Sequence, residues 1–212
     1  MKRNDLKISL LLPTILIVFV MLQSCTVAAP AIPTEPIKFR KENAKNGLII
    51  GTVTFPHEKA QYNGYFIRIM SKEKDEKTAK KHSTEIHISP KQIVRMRHKG
   101  QIDNGLTYLF AIERPEGNYE ISSIRLFINY GYFTKTWLIE GFSIPFHVKK
   151  GEITYVGNLF FDESMGNTDK NIDEIIKLES NFEKDIKAFQ KIQPYTDWRM
   201  VIDREDYFIS YD

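Results

Sequence analysis

Apolar and polar residues alternate along most of residues 47–163, and this period of two restricts the possible folds more than any other feature. The alternation is clear at 84–88, where Ile86 and Ile88 are separated by polar or charged residues. It recurs in about nine short segments divided by turn residues, such as 114–118 with its proline and glycine. Successive side chains of a strand point to opposite faces, so the sequence predicts an antiparallel β-sandwich.

Three segments predict more specific features of the sheets. Residues 106–113 are apolar on both faces, which is typical of a central strand. Residues 119–130 change parity near the serine pair 122–123, and a one-residue shift of this kind predicts a β-bulge. Pro145 lies within the alternating segment 142–148, where it removes a ladder donor and therefore predicts an edge strand.

Helical spacing replaces the alternation after Asp162. Apolar residues recur at intervals of three and four from Ile172 to Ile192, Asn171 can cap the first turn, and Pro194 ends the run. We therefore predict one C-terminal α-helix with a tail, residues 164–212, which packs on the sandwich. Packing of its apolar stripe on a partner is the open alternative.

Residues 1–24 have the organisation of a secretory signal peptide. Three basic residues precede the apolar stretch 8–22, which is too short to span a hydrocarbon core of about 30 Å as a helix. The sequence that closes the stretch, Leu22-Gln23-Ser24-Cys25, resembles the lipobox of bacterial lipoproteins. The resemblance implies cleavage between Ser24 and Cys25. Ordinary secretion and an uncleaved anchor are the alternatives.

In the lipoprotein family the cysteine thiol receives a diacylglyceryl group and the new N-terminus receives another acyl chain. The resemblance therefore implies lasting attachment to a membrane through Cys25. Thr26 stands where inner-membrane lipoproteins carry aspartate, which favours the outer membrane, facing the periplasm. Residues 25–46 begin with a proline-rich stretch and predict an extended tether between lipid and domain. The alternative is that the last part of the tether forms an edge strand.

Residues 108–162 include the stretches PEGNYEI and SIPFHVKKGEITYVGNLFF. Through these stretches the region resembles a group of uncharacterised bacterial lipoproteins with a transthyretin-like or carboxypeptidase-regulatory-like β-sandwich. The resemblance implies an immunoglobulin- or transthyretin-like sandwich over residues 47–163. It carries over no catalytic residue.

The sequence offers few groups for catalysis or metal binding. The five histidines have no ligand spacing and are expected at the surface, as are the paired acids Asp162 and Glu163. The one cysteine, Cys25, is committed to lipid. No phosphate-binding glycine loop or HExxH pair is present. We therefore expect no metal, no cofactor and no enzymatic activity. Residues 1–24 contribute +2 to the net charge of +3, and the remaining +1 argues against nucleic acid as a partner.

Two surface clusters suggest partners. Aromatic residues around Gly131 are candidates for stacking on a sugar, with core packing as the alternative: Tyr130, Tyr132, Phe133 and Trp137. A basic group within the weakest predicted strand, 92–98, and its flanks suits anionic lipid or polymer, with an ordinary exposed strand as the alternative: Lys91, Arg95, Arg97, His98 and Lys99. Our leading hypothesis is a non-enzymatic, lipid-anchored envelope protein that binds another protein or supports an assembly. The alternative is a carbohydrate- or peptidoglycan-binding module.

Overall fold

The computed structural model describes residues 29–30, 37–92, 96–165 and 172–205. This part of the chain is mainly β, with two sheets that face each other across one apolar core. The predicted signal peptide, Ser24 and Cys25 lie outside the described residues, as does the predicted helix cap Asn171.

The described strands are numbered in chain order. They are β1 (Ala29–Pro30), β2 (Gly47–Thr54), β3 (Gly64–Ser71), β4 (Thr84–Ile88), β5 (Thr107–Arg114), β6 (Gly117–Asn129), β7 (Thr134–Ile139), β8 (Ile144–Val148), β9 (Ile153–Phe161), β10 (Ile176–Glu179) and β11 (Val201–Asp203). The α-helices among the described residues are α1 (Glu76–His82), α2 (Ile172–Ile175) and α3 (Phe182–Ile192). Short 3₁₀ turns occupy Lys41–Asn43, Asp103–Gly105, Glu163–Met165 and Trp198–Met200.

Sheet 1 has the strand order β1-β4-β3-β6-β7, and β8 pairs with the other half of β6. Arg68 of β3 lies opposite Ser123 of β6, while the next residue, Ile69, lies opposite Ile121. Ser122 is therefore the extra residue of a β-bulge, and the predicted bulge is confirmed. Pro145 pairs with β6 in the described structure, at a position where its missing N–H breaks no ladder bond to a further strand.

Sheet 2 has the order β10-β9-β2-β5, with β11 beside β9. β2 pairs antiparallel with β5 but parallel with β9, so the expectation of a wholly antiparallel sandwich is wrong for this pair. The chain passes through sheet 1 between β2 and β9, which lets the two strands run in the same direction. β2 and β3 also lie in different sheets, whereas the first two strands of an immunoglobulin domain pair with each other.

β5 is buried on both faces although it ends the strand order of sheet 2. Tyr108 and Phe110 face the core between the sheets, while Leu109 and Ala111 face a second core. The outer edge of β5 is covered by a loop, because the Leu109 N–H donates to Oε1 of Gln101 at 3.0 Å. The interpretation of 106–113 as a central strand is therefore wrong. Both faces of β5 are apolar because one packs against the core between the sheets and the other packs in the second core.

The C-terminal region is divided into three elements and does not form the single predicted helix. After the short α2, Ile176 and Leu178 of β10 face the main core, and β10 pairs antiparallel with the free edge of β9. The remaining helix, α3, buries Ile186 and Phe189 against the outer face of sheet 2. The apolar spacing of residues 176–179 also suits a helix. They form a strand because pairing with β9 gives hydrogen-bond partners to the backbone groups at the edge of β9.

The predicted tether 25–46 is attached to the folded body at two described places. At its start, Ala29 and Pro30 pair in parallel with Ile86 and His87 of β4. At its end, Phe39 is buried, and the Ile37 N–H donates to Oε1 of Gln193 at 2.8 Å. Residues 37–46 form no strand but a 3₁₀ turn with extended flanks. They do not form a free spacer, because Phe39 gains burial in the second core.

Candidate functional site

The connection between β6 and β7 is a tight reversal over residues 130–133. The Tyr130 N–H donates to the carbonyl of Phe133 at 3.0 Å, and the Gly131 N–H donates to Oδ1 of Asn129 at 2.8 Å. Gly131 has φ +88°, a left-handed conformation that glycine adopts without strain. Gly131 therefore allows the tight turn at which the neighbouring Tyr130 and Tyr132 side chains point into solvent.

Three aromatic side chains at this turn are exposed: Tyr130 by 51%, Tyr132 by 103% and Phe133 by 61%. The rings of Tyr130 and Phe133 stack with centroids 4.8 Å apart and an interplanar angle of 28°. We call Tyr130, Tyr132 and Phe133 the aromatic tip. Exposed apolar groups of this size, brought together on one turn, are typical of contact surfaces. Core packing, the alternative interpretation, does not describe these three residues.

Trp137 is not part of the aromatic tip. Its half-buried ring packs against the main core and meets the Tyr62 ring edge-to-face, with centroids 5.5 Å apart. Lys135 places its Nζ 4.5 Å from the centroid of the Trp137 ring. Removing the indole would therefore disturb the core as well as any ligand contact.

The base of the hairpin is held by polar bonds to neighbouring loops. The Asn129 N–H donates to Oδ1 of Asn63 at 2.6 Å, and the Asn63 N–H donates to the carbonyl of Phe127 at 2.8 Å. Gln92 adds two further bonds to Asn63. The aromatic tip therefore stands on a base that is bonded to Asn63, which Gln92 holds in turn.

A polar and aromatic row lies across the outer face of sheet 1 beside the hairpin. The imidazole of His87 stacks on Phe66 with centroids 4.3 Å apart, and the guanidinium carbon of Arg125 lies 4.0 Å from the centroid of the same ring. Arg125 also bonds to Glu85 at 2.9 Å. Leu138, opposite Arg125, is 56% exposed. This face extends the surface available near the aromatic tip.

Two titratable residues that we expected at the surface are buried together between the sheets. His98 and Glu163 have side chains that are 0% exposed, and Nε2 of His98 lies 3.0 Å from Oε1 of Glu163. The other carboxylate oxygen accepts from the Tyr65 hydroxyl and, at 3.0 Å, from the Gln61 N–H. The expectation of solvated groups is wrong because these bonds satisfy the carboxylate inside the core.

Both ring nitrogens of His98 have a hydrogen-bond partner in this buried cluster of His98, Glu163, Tyr65 and Tyr108. The His98 ring stacks on Phe55 with centroids 3.8 Å apart, and the Tyr108 hydroxyl lies 3.4 Å from Nδ1. With the His98 proton on Nε2, the imidazole donates to Glu163 and accepts from Tyr108. Burial, followed by the negative charge of Glu163, raises the pKa of Tyr65 far above its ordinary value. The cluster therefore joins segments in the core and offers no open position for a substrate.

The basic group proposed from the sequence is dispersed by this arrangement. Lys91 and Arg97 form an isolated bridge rather than a strand, His98 is buried, and Arg95 lies outside the described residues. Lys91, Arg97 and Lys99 remain exposed. The predicted strand over 92–98 is wrong for the residues that the structure describes there.

A second buried acid joins α3 to sheet 2. Oδ2 of Asp185 accepts from the Tyr155 hydroxyl at 2.7 Å and lies 2.6 Å from Oγ1 of Thr52, which is 3.0 Å from Oδ1 of Asn158. Burial raises the pKa of Asp185, and the bonds from Thr52 and Tyr155 only partly offset this effect. The Thr52 and Tyr155 hydroxyls both donate to the Asp185 carboxylate. These buried hydrogen bonds join α3 to β2 and β9 and leave no open position for a ligand.

One open cavity of about 490 Å³ lies where the start of the body meets the C-terminal segment. Its walls include Arg40, Glu42 and Tyr195. The Arg199 guanidinium in this cavity is paired with Asp197 at 2.8 Å, so its charge is balanced. Within the part of the chain that the structure describes, no three His, Cys, Asp or Glu side chains are grouped to hold a metal ion. No helix of the described ranges has the length and apolarity needed to cross a bilayer.

Comparisons with known proteins add little to this description. No family model matches the chain, and no curated protein matches it. A leucine-rich repeat protein from Bacteroides thetaiotaomicron is similar in structure, with 15% sequence identity and a TM-score of 0.31. The similarity covers 71% of this chain but 16% of that protein, so the chain spans a small fraction of its length. A likeness this weak supports no statement about fold or function.

Proposed function

We propose that this protein is a non-enzymatic component of a bacterial cell envelope, anchored by lipid on Cys25, and that it binds another envelope protein through the aromatic tip. The observation that carries the binding proposal is the exposure of Tyr130, Tyr132 and Phe133 on a hairpin with a fixed base. Tyrosine and other aromatics supply much of the binding energy in protein interfaces, because they bury large areas with few rotatable bonds.

The lipid anchor is supported by sequence alone. Residues 1–24 have the organisation of a signal peptide, and the stretch from Leu22 to Cys25 resembles a lipobox. Thr26 favours the outer membrane, with the body in the periplasm. The absence of an enzymatic role is supported by the positions of the buried acids, because Glu163 and Asp185 are each 1% exposed and cannot meet a substrate.

We also infer that the body belongs to the transthyretin-like class of sandwiches. Its support is the strand order, with β5-β2-β9-β10 facing β4-β3-β6-β7. The first two strands of this body lie in different sheets, which disfavours the immunoglobulin order. An experimental structure in which β2 pairs with β3 would contradict this assignment.

The anchor is tested by labelling cells with radioactive palmitate and comparing the wild-type chain with Cys25→Ala. We expect label in the wild type alone, together with loss of the variant from the outer-membrane fraction. The accumulation of a larger, uncleaved variant would accompany this loss, because cleavage at Ser24 depends on the lipidated cysteine. Equal label in both chains would contradict the proposal.

The binding surface is tested by crosslinking in intact envelopes, followed by reconstitution with the purified partner. The variant Tyr132→Ser/Phe133→Ser should lose at least about ten-fold in affinity, since interface aromatics commonly contribute more than about 1.4 kcal/mol each. Tyr195→Ser is the matched control, because Tyr195 is 59% exposed and lies outside the hairpin. Equal loss in both variants would contradict a role for the aromatic tip.

A carbohydrate-binding role is the second candidate, and the stacked pair of Tyr130 and Phe133 is the observation that favours it. Aromatic faces can stack on sugar rings as well as on protein side chains. Sedimentation with purified cell wall separates the two functions. Recovery that depends on Tyr132 and Phe133 would support this candidate, while Trp137→Ala is a poor probe because its ring packs on Tyr62.

A further inference from the structure

We propose that the end of sheet 1 that carries α1 lies against the membrane and contacts anionic lipid head groups through Lys77, Lys80 and Lys81. The aromatic tip then lies at the opposite end of the sheet, directed away from the bilayer. This inference rests on the proposed lipidation of Cys25 and adds an orientation and a lipid-contacting surface to it.

The direction of β1 indicates the end from which the lipid-bearing residue approaches. Ala29 lies opposite Ile86 and Pro30 lies opposite His87, so β1 runs parallel to β4. β4 runs from Thr84 towards Ile88, and Ile88 is next to Tyr65 at the end of the sheet where the hairpin projects. The chain therefore enters β1 from the side of Thr84.

The length of chain before β1 restricts how far the lipid can lie from the body. Cys25 precedes Ala29 by four residues, which span at most about 14 Å. Ala29 is level with Ile86 and, across the sheet, with Ile124. The turn at Gly131 lies seven residues beyond Ile124, or about 23 Å along the strand. The lipid therefore cannot reach the aromatic tip, and the body is held close to the bilayer.

The element at the Thr84 end is the charged helix α1. Asp75 caps it by accepting from the Thr78 N–H at 2.8 Å. At its other end the Ser83 hydroxyl donates to the Ala79 carbonyl and accepts from the Ser71 N–H, which fastens the helix to the sheet. α1 is therefore a positioned element at this end and not a free loop.

α1 carries a surplus of positive charge, because its residues include three lysines and a single acid, Glu76. Lys77, Lys80 and Lys81 are exposed, and the described structure records no ion pair for them. Lys80 and Lys81 lie in the last turn, where they also complement the helix dipole, but the dipole does not account for Lys77 in the first turn. Exposed lysines next to a lipid anchor are the arrangement that binds anionic head groups.

Exposed lysines also occur at the opposite end of the sheet, and they provide a matched control. Lys59, Lys91 and Lys99 lie in loops near the hairpin end, and Lys59 and Lys91 both adjoin Arg97. Their presence makes the opposite orientation a definite rival, in which these residues face the head groups and α1 points away. Charge alone does not distinguish the two orientations, whereas the direction of β1 does.

The test uses the full lipidated protein in vesicles of phosphatidylcholine with phosphatidylglycerol and a fluorescent acceptor on a head group. Because acylation blocks Cys25, an introduced cysteine is the single reactive thiol. A donor dye is placed at Glu76→Cys in α1 or at Thr134→Cys in the hairpin, two exposed positions about 30 Å apart along the sheet. We expect energy transfer from position 76 to be about twice that from position 134, because transfer falls steeply over such a distance.

The lysines are tested on the same samples. We expect transfer from position 76 to rise with the phosphatidylglycerol fraction, and Lys77→Gln/Lys80→Gln/Lys81→Gln to remove that rise. The control Lys59→Gln/Lys91→Gln/Lys99→Gln should leave it unchanged. Equal or greater transfer from position 134, or a phosphatidylglycerol response that only the control variant loses, would overturn the inference.

Mass measurement of the same protein separates this inference from the proposed function. Acylated Cys25 with the reverse orientation overturns the orientation and leaves the anchor standing. An unmodified Cys25 overturns the anchor, and the inference fails with it.

Discussion

Replacing Glu163 with alanine removes the carboxylate that joins three separate segments between the two sheets. Its oxygens bond to His98, to the Tyr65 hydroxyl and to the Gln61 N–H. His98 and Glu163 are fully buried at their side chains, so water cannot replace the lost acceptor. The change therefore leaves two buried donors, on His98 and Tyr65, and the partly buried Gln61 N–H without a partner.

The expected loss follows from the number and burial of these donors. Each buried donor left unpaired costs about 1–3 kcal/mol, and two such donors remain, on His98 and Tyr65. We expect Glu163→Ala to lower the free energy of unfolding by about 4 kcal/mol. Glu163→Gln keeps an acceptor oxygen for Tyr65 and Gln61, so it should cost about half as much.

The measurement is urea unfolding at 25 °C, followed by the fluorescence of Trp137 and Trp198. Glu140→Ala is the control, because Glu140 is exposed, and it should change the free energy of unfolding by less than about 0.5 kcal/mol. In a His98→Ala background the cost of Glu163→Ala should fall, because the two residues share a bond. A Glu163→Ala variant within about 1 kcal/mol of the wild type would refute the reasoning.

Three further changes test other parts of the fold. Because burial raises the pKa of Asp185 above its ordinary 3.8, the contribution of Asp185 to stability is complete below pH 3.8 and is lost as pH rises through the folded pKa. Asp185→Asn should therefore make urea stability fall less between acid and neutral pH, and an unchanged pH profile would contradict this. Phe189→Ala should cost about 3–5 kcal/mol in urea unfolding, whereas the exposed Lys187→Ala should cost little; equal effects would show that α3 does not pack as described. Gly51→Ala would bring a methyl group to 2.6 Å from the Phe110 ring, so its melting temperature should fall by several degrees, and an unchanged value would rule out the contact.

The local features of the sheets could be predicted because they depend on neighbours in sequence. The bounds of β4 follow from alternation within five residues. The bulge at Ser122 follows from a change of parity within one strand. Each of these features is set by which face of a strand is apolar, and that pattern is visible in the sequence.

The features that could not be predicted depend on distant partners. Residues 176–179 have spacing that suits a helix, and only the free edge of β9 makes them a strand. β5 is apolar on both faces because α3 covers one of them, which no local pattern distinguishes from a central position. Strand propensity reflects the surroundings of a segment more than its own sequence.

The candidate site was predictable to the same limited degree. The aromatic residues around Gly131 could be named as candidates for stacking, but which of them are exposed depends on how far the hairpin projects. His98 and Glu163 are distant in sequence; His98 lies between two basic residues and Glu163 follows an acid, and both settings suggest solvent. The attachment of lipid to Cys25 stays a prediction.

The parallel pairing of β2 with β9 sets the order in which the chain can complete its fold. Leu48 near the start of the body pairs with Ile153 near its end, so one edge of β2 has no partner until almost the whole body has been made. Pairing between such distant segments slows folding, and an open strand edge invites association with other chains. In a chain made from its N-terminus, one edge of β2 therefore stays without a strand partner until β9 has been made. The first strand of the body gains its second partner only from β9, near the end of the body.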